Sequence, residues 1–96
     1  MANNFRISVH RNSDNLHIKL LGNFDGSSAF ELLNMLKKKS NGGGKIFVHT
    51  SGLKEIHPFG SEVFRSHSDI LKGPSHRLIF TGENGSRIAP KGSIVI

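Results

Sequence analysis

The stretch Lys45-Ile46-Phe47-Val48-His49-Thr50-Ser51-Gly52-Leu53-Lys54-Glu55-Ile56-His57-Pro58-Phe59-Gly60 decides how the chain is read. Its opening run, Lys45 to His49, is mostly apolar, the pattern of a central strand covered on both faces. Thr50 to Pro58 is polar apart from Leu53 and Ile56 and reads as a loop. A helix is predicted from about Phe59 to Leu71, because Val63, Phe64, His67, Ile70 and Leu71 fall on or near one helical face.

Working outward toward the start, Phe5, Ile7 and Val9 alternate with Arg6, Ser8 and His10, and Leu16, Ile18 and Leu20 alternate again after Asn12-Ser13-Asp14-Asn15. This is a hairpin pattern. With Asn12 to Asn15 as a four-residue loop, Val9 faces Ile18, and the six apolar residues from Phe5 to Leu20 share one buried face. The opposite face carries Arg6, His10, His17 and Lys19, with His10 opposite His17. Gly22-Asn23-Phe24-Asp25-Gly26 ends the second strand, and Ser27 or Ser28 is expected to cap a helix running to about Lys39, with Asp25 readable either as a turn or capping carboxylate or as a partner contact. Its apolar stripe is Ala29, Phe30, Leu32, Leu33 and Leu36, and Lys37, Lys38 and Lys39 suit its C-terminal dipole.

Asn41-Gly42-Gly43-Gly44 is a connecting loop. The strand at 45–49 therefore follows a helical crossover and should lie parallel to an earlier strand, joined with right-handed chirality. Toward the end, Leu78-Ile79-Phe80 is a short strand, Asn84 to Pro90 a short irregular or helical connection, and Ser93 to Ile96 a final strand. The order β-β-α-β-α-β-(α)-β defines an α/β domain with a mixed sheet of four or five strands packed with helices.

Size and composition limit the function. Ninety-six residues hold one domain and leave no room for a second, catalytic one. The chain has no Cys, which excludes a disulfide framework and a thiolate zinc site. No secretory signal is expected, and no apolar run approaches the ~20 residues that span a bilayer. The expected location is the cytoplasm, with no membrane association. Thirteen Lys+Arg against seven Asp+Glu give a formal charge of +6, so a polyanionic partner has to be weighed.

Most chemical constellations fall away. Histidines opposite each other on a hairpin make two ligands, not a metal site, and no metal or cofactor is expected. Ser, His and Asp occur without a nucleophile elbow, so no catalytic residue is expected. Gly42-Gly43-Gly44-Lys45 precedes a strand and lacks the ending of a phosphate-binding loop. Lys37, Lys38, Lys39 and Lys45 are a candidate anion-binding or nucleic-acid surface. That is the lesser reading, because all seven Phe are assigned to the core or to the Phe59 position and no Tyr or Trp is available to stack on bases.

The order of elements, Gly22-Asn23-Phe24-Asp25 before the first helix and Ser51-Gly52-Leu53-Lys54-Glu55-Ile56-His57-Pro58-Phe59-Gly60 before the second, resembles the STAS domain, the sulfate-transporter and anti-sigma-factor-antagonist family. The resemblance covers nearly the whole chain. Members acting as bacterial anti-anti-sigma factors carry a pattern like Asp-hydrophobic-Ser-Gly-Val-x-x-Ile-Asp-Ser-Ser-Gly, in which a serine at the helix start is reversibly phosphorylated. Aligned on Ser51-Gly52 and Ile56, this chain has His49 and His57 at the two Asp positions and Pro58-Phe59 at the Ser-Ser pair. Neither Pro nor Phe has a hydroxyl to accept phosphate, and Ser61 is the remaining candidate acceptor nearby.

The resemblance implies a stand-alone, non-catalytic STAS-like interaction module in bacterial signal transduction and transcription regulation. Its partner would be an anti-sigma factor, a kinase or a related regulator, bound constitutively or after divergence toward a different protein. The implied contact residues are Asn23, Asp25, His57, Pro58, Phe59, Gly60, Ser61 and Phe64, on a monomer or weak homodimer.

Overall fold

A computed structural model describes residues 4–12, 14–39, 44–67, 78–90 and 92–96. The elements are β1 (Arg6–Asn12), β2 (Asn15–Phe24), α1 (Gly26–Lys39), β3 (Ile46–Ile56), α2 (Pro58–Ser66), β4 (Leu78–Thr81), α3 (Gly85–Ile88) and β5 (Ile94–Val95). The strands form one five-stranded sheet in sequence order, β1-β2-β3-β4-β5. β1 is antiparallel to β2, and the remaining neighbours are parallel. The mixed α/β architecture follows from the alternation of strand and helix patterns along the chain. The predicted last turn of α2, at 68–71, and the Gly-rich loop at 41–43 lie outside the described residues.

The hairpin has the expected register, with Val9 opposite Ile18 and His10 opposite His17. Pairing continues to Asn12 and Asn15, so the turn is tighter than a four-residue loop. Leu16, Ile18 and Leu20 are buried, whereas Val9 is 39% exposed. Val9 sits on the edge strand, and the helices pack over β2, β3 and β4.

β3 is twice the length that its apolar run suggests, because Thr50 to Ile56 is strand and not loop. Two register shifts against β2 explain the misreading. From Lys19↔His49 to Leu21↔Gly52, and again from Gly22↔Leu53 to Asn23↔Glu55, β3 advances one residue more than β2. Each bulge breaks the two-residue alternation. Buried positions therefore run Ile46, Val48, Thr50 and then Leu53 and Ile56. Thr50 is fully buried, and its hydroxyl donates to the Thr81 carbonyl at 2.7 Å, which satisfies the polar group inside the core.

The core lies between one face of the sheet and the helices. Ala29, Leu32, Leu33 and Leu36 of α1 and Val63 and Phe64 of α2 pack on Ile18, Leu20, Val48 and Phe80. Phe5, Phe24, Phe64 and Phe80 form a chain of edge-to-face contacts with centroids 5.9–6.2 Å apart, the geometry aromatic quadrupoles favour. Adjacent parallel strands joined by right-handed crossovers stack their helices on one side. β3 is consequently not covered on both faces: Phe47 and His49, pointing away from the helices, are only half-buried.

Candidate functional site

The helix layer brings the heads of α1 and α2 together. At α1 the cap is Asp25, not Ser27 or Ser28: Asp25 Oδ1 accepts from the Ser28 amide at 2.9 Å and from the Ser27 hydroxyl at 3.1 Å. Ser28 is instead buried, with its Oγ 2.9 Å from both Asp25 Oδ1 and the Asn23 carbonyl. A carboxylate here meets both the free amides and the positive end of the helix dipole.

α2 begins one residue after β3 ends, with Pro58 in its first turn, where its missing N–H costs nothing. The His57 amide donates to the Phe24 carbonyl at 2.9 Å, which fastens the start of α2 to the end of β2. Gly60 then packs on Asp25: a Cβ at position 60 would lie 2.7 Å from the Asp25 carbonyl carbon. Gly26 is covered by Phe59, whose Cε2 would stand 2.9 Å from a Cβ there. Phe59 keeps 69% of its surface exposed.

The candidate contact residues separate into two groups. His57, Pro58 and Phe59 are exposed, and Asn23 and Asp25 beside them are half-buried. His57 Nε2 also lies 3.7 Å from Glu55 Oε1, both side chains being exposed. Gly60, Ser61 and Phe64 are buried. Phe64 is a core ring with no exposed surface, so the expectation that it meets a partner is corrected. Ser61 is 5% exposed, and its amide donates to the His57 carbonyl at 3.2 Å. It lines a cleft of about 570 Å³ between α2 and α3 together with Ile56, Pro58, Glu62, Arg65 and Arg87.

Phe30 was expected in the core and is 48% exposed. The buried stripe of α1 is Ala29, Leu32, Leu33 and Leu36, and Phe30 falls on its flank. It lies one turn beyond Gly26 on the same side of the helix, and its ring meets His67 edge-on at 5.2 Å. Phe59 and Phe30 thus form an apolar strip along the seam of α1 and α2. The off-stripe position of Phe30 was the available signal.

Lys37, Lys38 and Lys39 are exposed in the last turn of α1 and Lys45 is exposed just before β3, away from this strip at the start of the helix. Among the described residues, no group of three or more His, Cys, Asp or Glu is arranged to hold a metal ion. No helix among them is long and apolar enough to cross a membrane. No protein-family model matches the chain, and no curated protein matches it in sequence.

Proposed function

We propose that the chain is a non-catalytic, STAS-like interaction module that regulates a protein partner by docking, in the manner of an anti-sigma-factor antagonist. The observation that carries this reading is Phe59: a large apolar side chain, mostly exposed, held on Gly26 where two helix heads meet. Exposed aromatic anchors of this kind dominate interface energies. The contact surface comprises Phe59 and Phe30, flanked by Asp25, His57 and Pro58. The element order on which the STAS resemblance rests, with a mixed sheet and helices, supports this reading.

Docking in this reading is not switched by phosphate at the start of α2. Pro58 and Phe59 occupy the hydroxyl positions, and a kinase reaching Ser61 would have to pull the buried Gly60 and Ser61 away from Asp25. Affinity capture from a bacterial cytosol with wild-type protein and Phe59→Asp tests the proposal. The expected result is an anti-sigma factor, kinase or related regulator retained by wild type and lost by the variant. Retention by both would overturn it, and so would a single phosphate mapped to Ser61 after incubation of the folded protein with serine kinases.

A further inference from the structure

The face of the sheet turned away from the helices carries a second arrangement, unrelated to the α1–α2 seam. Register places His10, His17, Phe47, Ile79 and Ile94 in one row across all five strands, and Ser8, Lys19, His49 and Thr81 in the next. Side chains in such rows are neighbours on one face. The rings of His17, Phe47 and His49 stand parallel within 7°, with His17 4.9 Å from Phe47 and 5.2 Å from His49. His17 Nδ1 lies 2.9 Å from His49 Nε2, and His49 Nδ1 lies 2.7 Å from Thr81 Oγ1.

This relay borders a cleft of about 350 Å³ lined by Ser8, His10, Asn12, His17, Lys19 and His49. Every lining side chain can donate a hydrogen bond, and none is a carboxylate. Asp14, in the neighbouring turn, has an exposed side chain that does not line the cleft, and it is its backbone carbonyl that faces Gly44. Arg6, two residues before Ser8, shares the face by alternation. Phe47 and Thr81 bring no charge from β3 and β4, nor do Ile94 and Val95 from β5. We propose that this cleft binds a small phosphate-bearing ligand, with the ammonium of Lys19 and the protonated form of the His17–His49 pair meeting the phosphate oxygens.

The hydrogen bond between the two imidazoles makes binding and protonation interdependent. One nitrogen must donate and the other accept, so the intact pair holds at most one extra proton. Burial, the neighbouring His17 and then Lys19 hold the His49 pKa below its ordinary value. The lowered pKa favours the neutral form of His49, in which Nδ1–H donates to Thr81 and Nε2 is left to accept from His17 Nδ1–H. A phosphate in the cleft offsets the positive potential of Lys19, so the pair takes its proton at higher pH when the ligand is bound.

Histidine-ring NMR on the full chain, titrated with inorganic phosphate and with a nucleoside monophosphate, tests the inference. Saturable shifts of the His10, His17 and His49 signals are expected, with an upward move of the pair's titration midpoint and at least fivefold weaker binding for Lys19→Ala. Lys54→Ala, which removes an exposed cation outside the cleft, should bind as wild type does. Equal affinity for the two probes assigns recognition to the phosphate alone, and tighter nucleotide binding adds the ring row to the site. Shifts matched by sodium chloride at equal ionic strength would overturn the proposal. Binding unchanged in both Lys19→Ala and His49→Gln, or binding only to an oligonucleotide, would do the same.

Discussion

The ring of Phe59 rests on the backbone of Gly26, so that a methyl group at position 26 would sit 2.9 Å from the ring edge. The obstructing group is the free end of a rotatable side chain. Gly26→Ala should therefore leave stability within about 1 kcal/mol of wild type, while turning Phe59 off its seat. Urea denaturation and partner affinity should separate: unchanged unfolding with at least tenfold weaker docking. Equal docking by both proteins would remove Gly26 from the proposed surface.

Gly60 is less forgiving, because its neighbour is the Asp25 backbone at 2.7 Å. Gly60→Ala must separate the two helix heads, and a loss of about 1–3 kcal/mol is expected, as for overpacking elsewhere. A fall in the urea midpoint beyond that of Gly26→Ala checks it.

Asp25 gathers three donors at the start of α1. Asp25→Ala should cost about 1–2 kcal/mol, and Asp25→Asn less, since an amide oxygen still caps. Equal losses for the two variants in chemical denaturation would show that capping is not what Asp25 contributes.

Phe64 and Phe30 should behave oppositely. Phe64→Ala removes the ring that links Phe24 to Phe80 and should cost about 3–5 kcal/mol, a large share of the stability of a domain this size. Phe30→Ala should stay within roughly 0.5 kcal/mol and register only in docking. Thermal unfolding of the two variants side by side distinguishes them.

His49 sets the direction of the acid response. Its pKa is lower in the folded chain than the ordinary 6.5, through burial first, then His17, then Lys19. The unfolded chain therefore binds more protons, and this contribution to stability is complete above pH 6.5 and lost as pH falls toward the folded value. The melting temperature should fall on acidification across that window, and by less in His49→Gln. An identical fall in the variant would assign the response to other groups.

How much of this was readable in the residues depends on whether local spacing carried it. The β1–β2 register was legible because Ile18 and Leu20 alternate without interruption, and β4 and α3 because short apolar and turn patterns bracket them. Thr50 to Ile56 was not, since each bulge replaces a spacing of two by three and leaves Leu53 and Ile56 looking like stray apolar residues in a loop. A capping role for Asp25 was one of two readings its position allowed, and the two adjacent serines offered the same chemistry, so spacing alone did not choose among the three. Phe59 and its neighbours were legible as a cluster, whereas the burial of Phe64 and Ser61 beside them depends on which way α2 rolls onto the sheet. His17 opposite His10 could be foreseen, but His49 is 32 residues from His17, and only the parallel crossover makes them partners.

The two bulges of β3 have an effect on the lengths of the strands. Phe24 lies eight residues beyond Leu16, while its partner Ile56 lies ten beyond Ile46, which is the partner of Leu16. The surplus is folded into the sheet, and both strands finish level, so that His57 reaches the Phe24 carbonyl and the two helices start side by side. Deleting a single residue between Thr50 and Glu55 would leave Ile56 on the wrong side of the sheet or draw α2 back from α1. Deleting one residue at each bulge restores the inside-outside parity. The spacing of the docking surface is thus a counting property of β3, tolerant of change in pairs and intolerant of it singly.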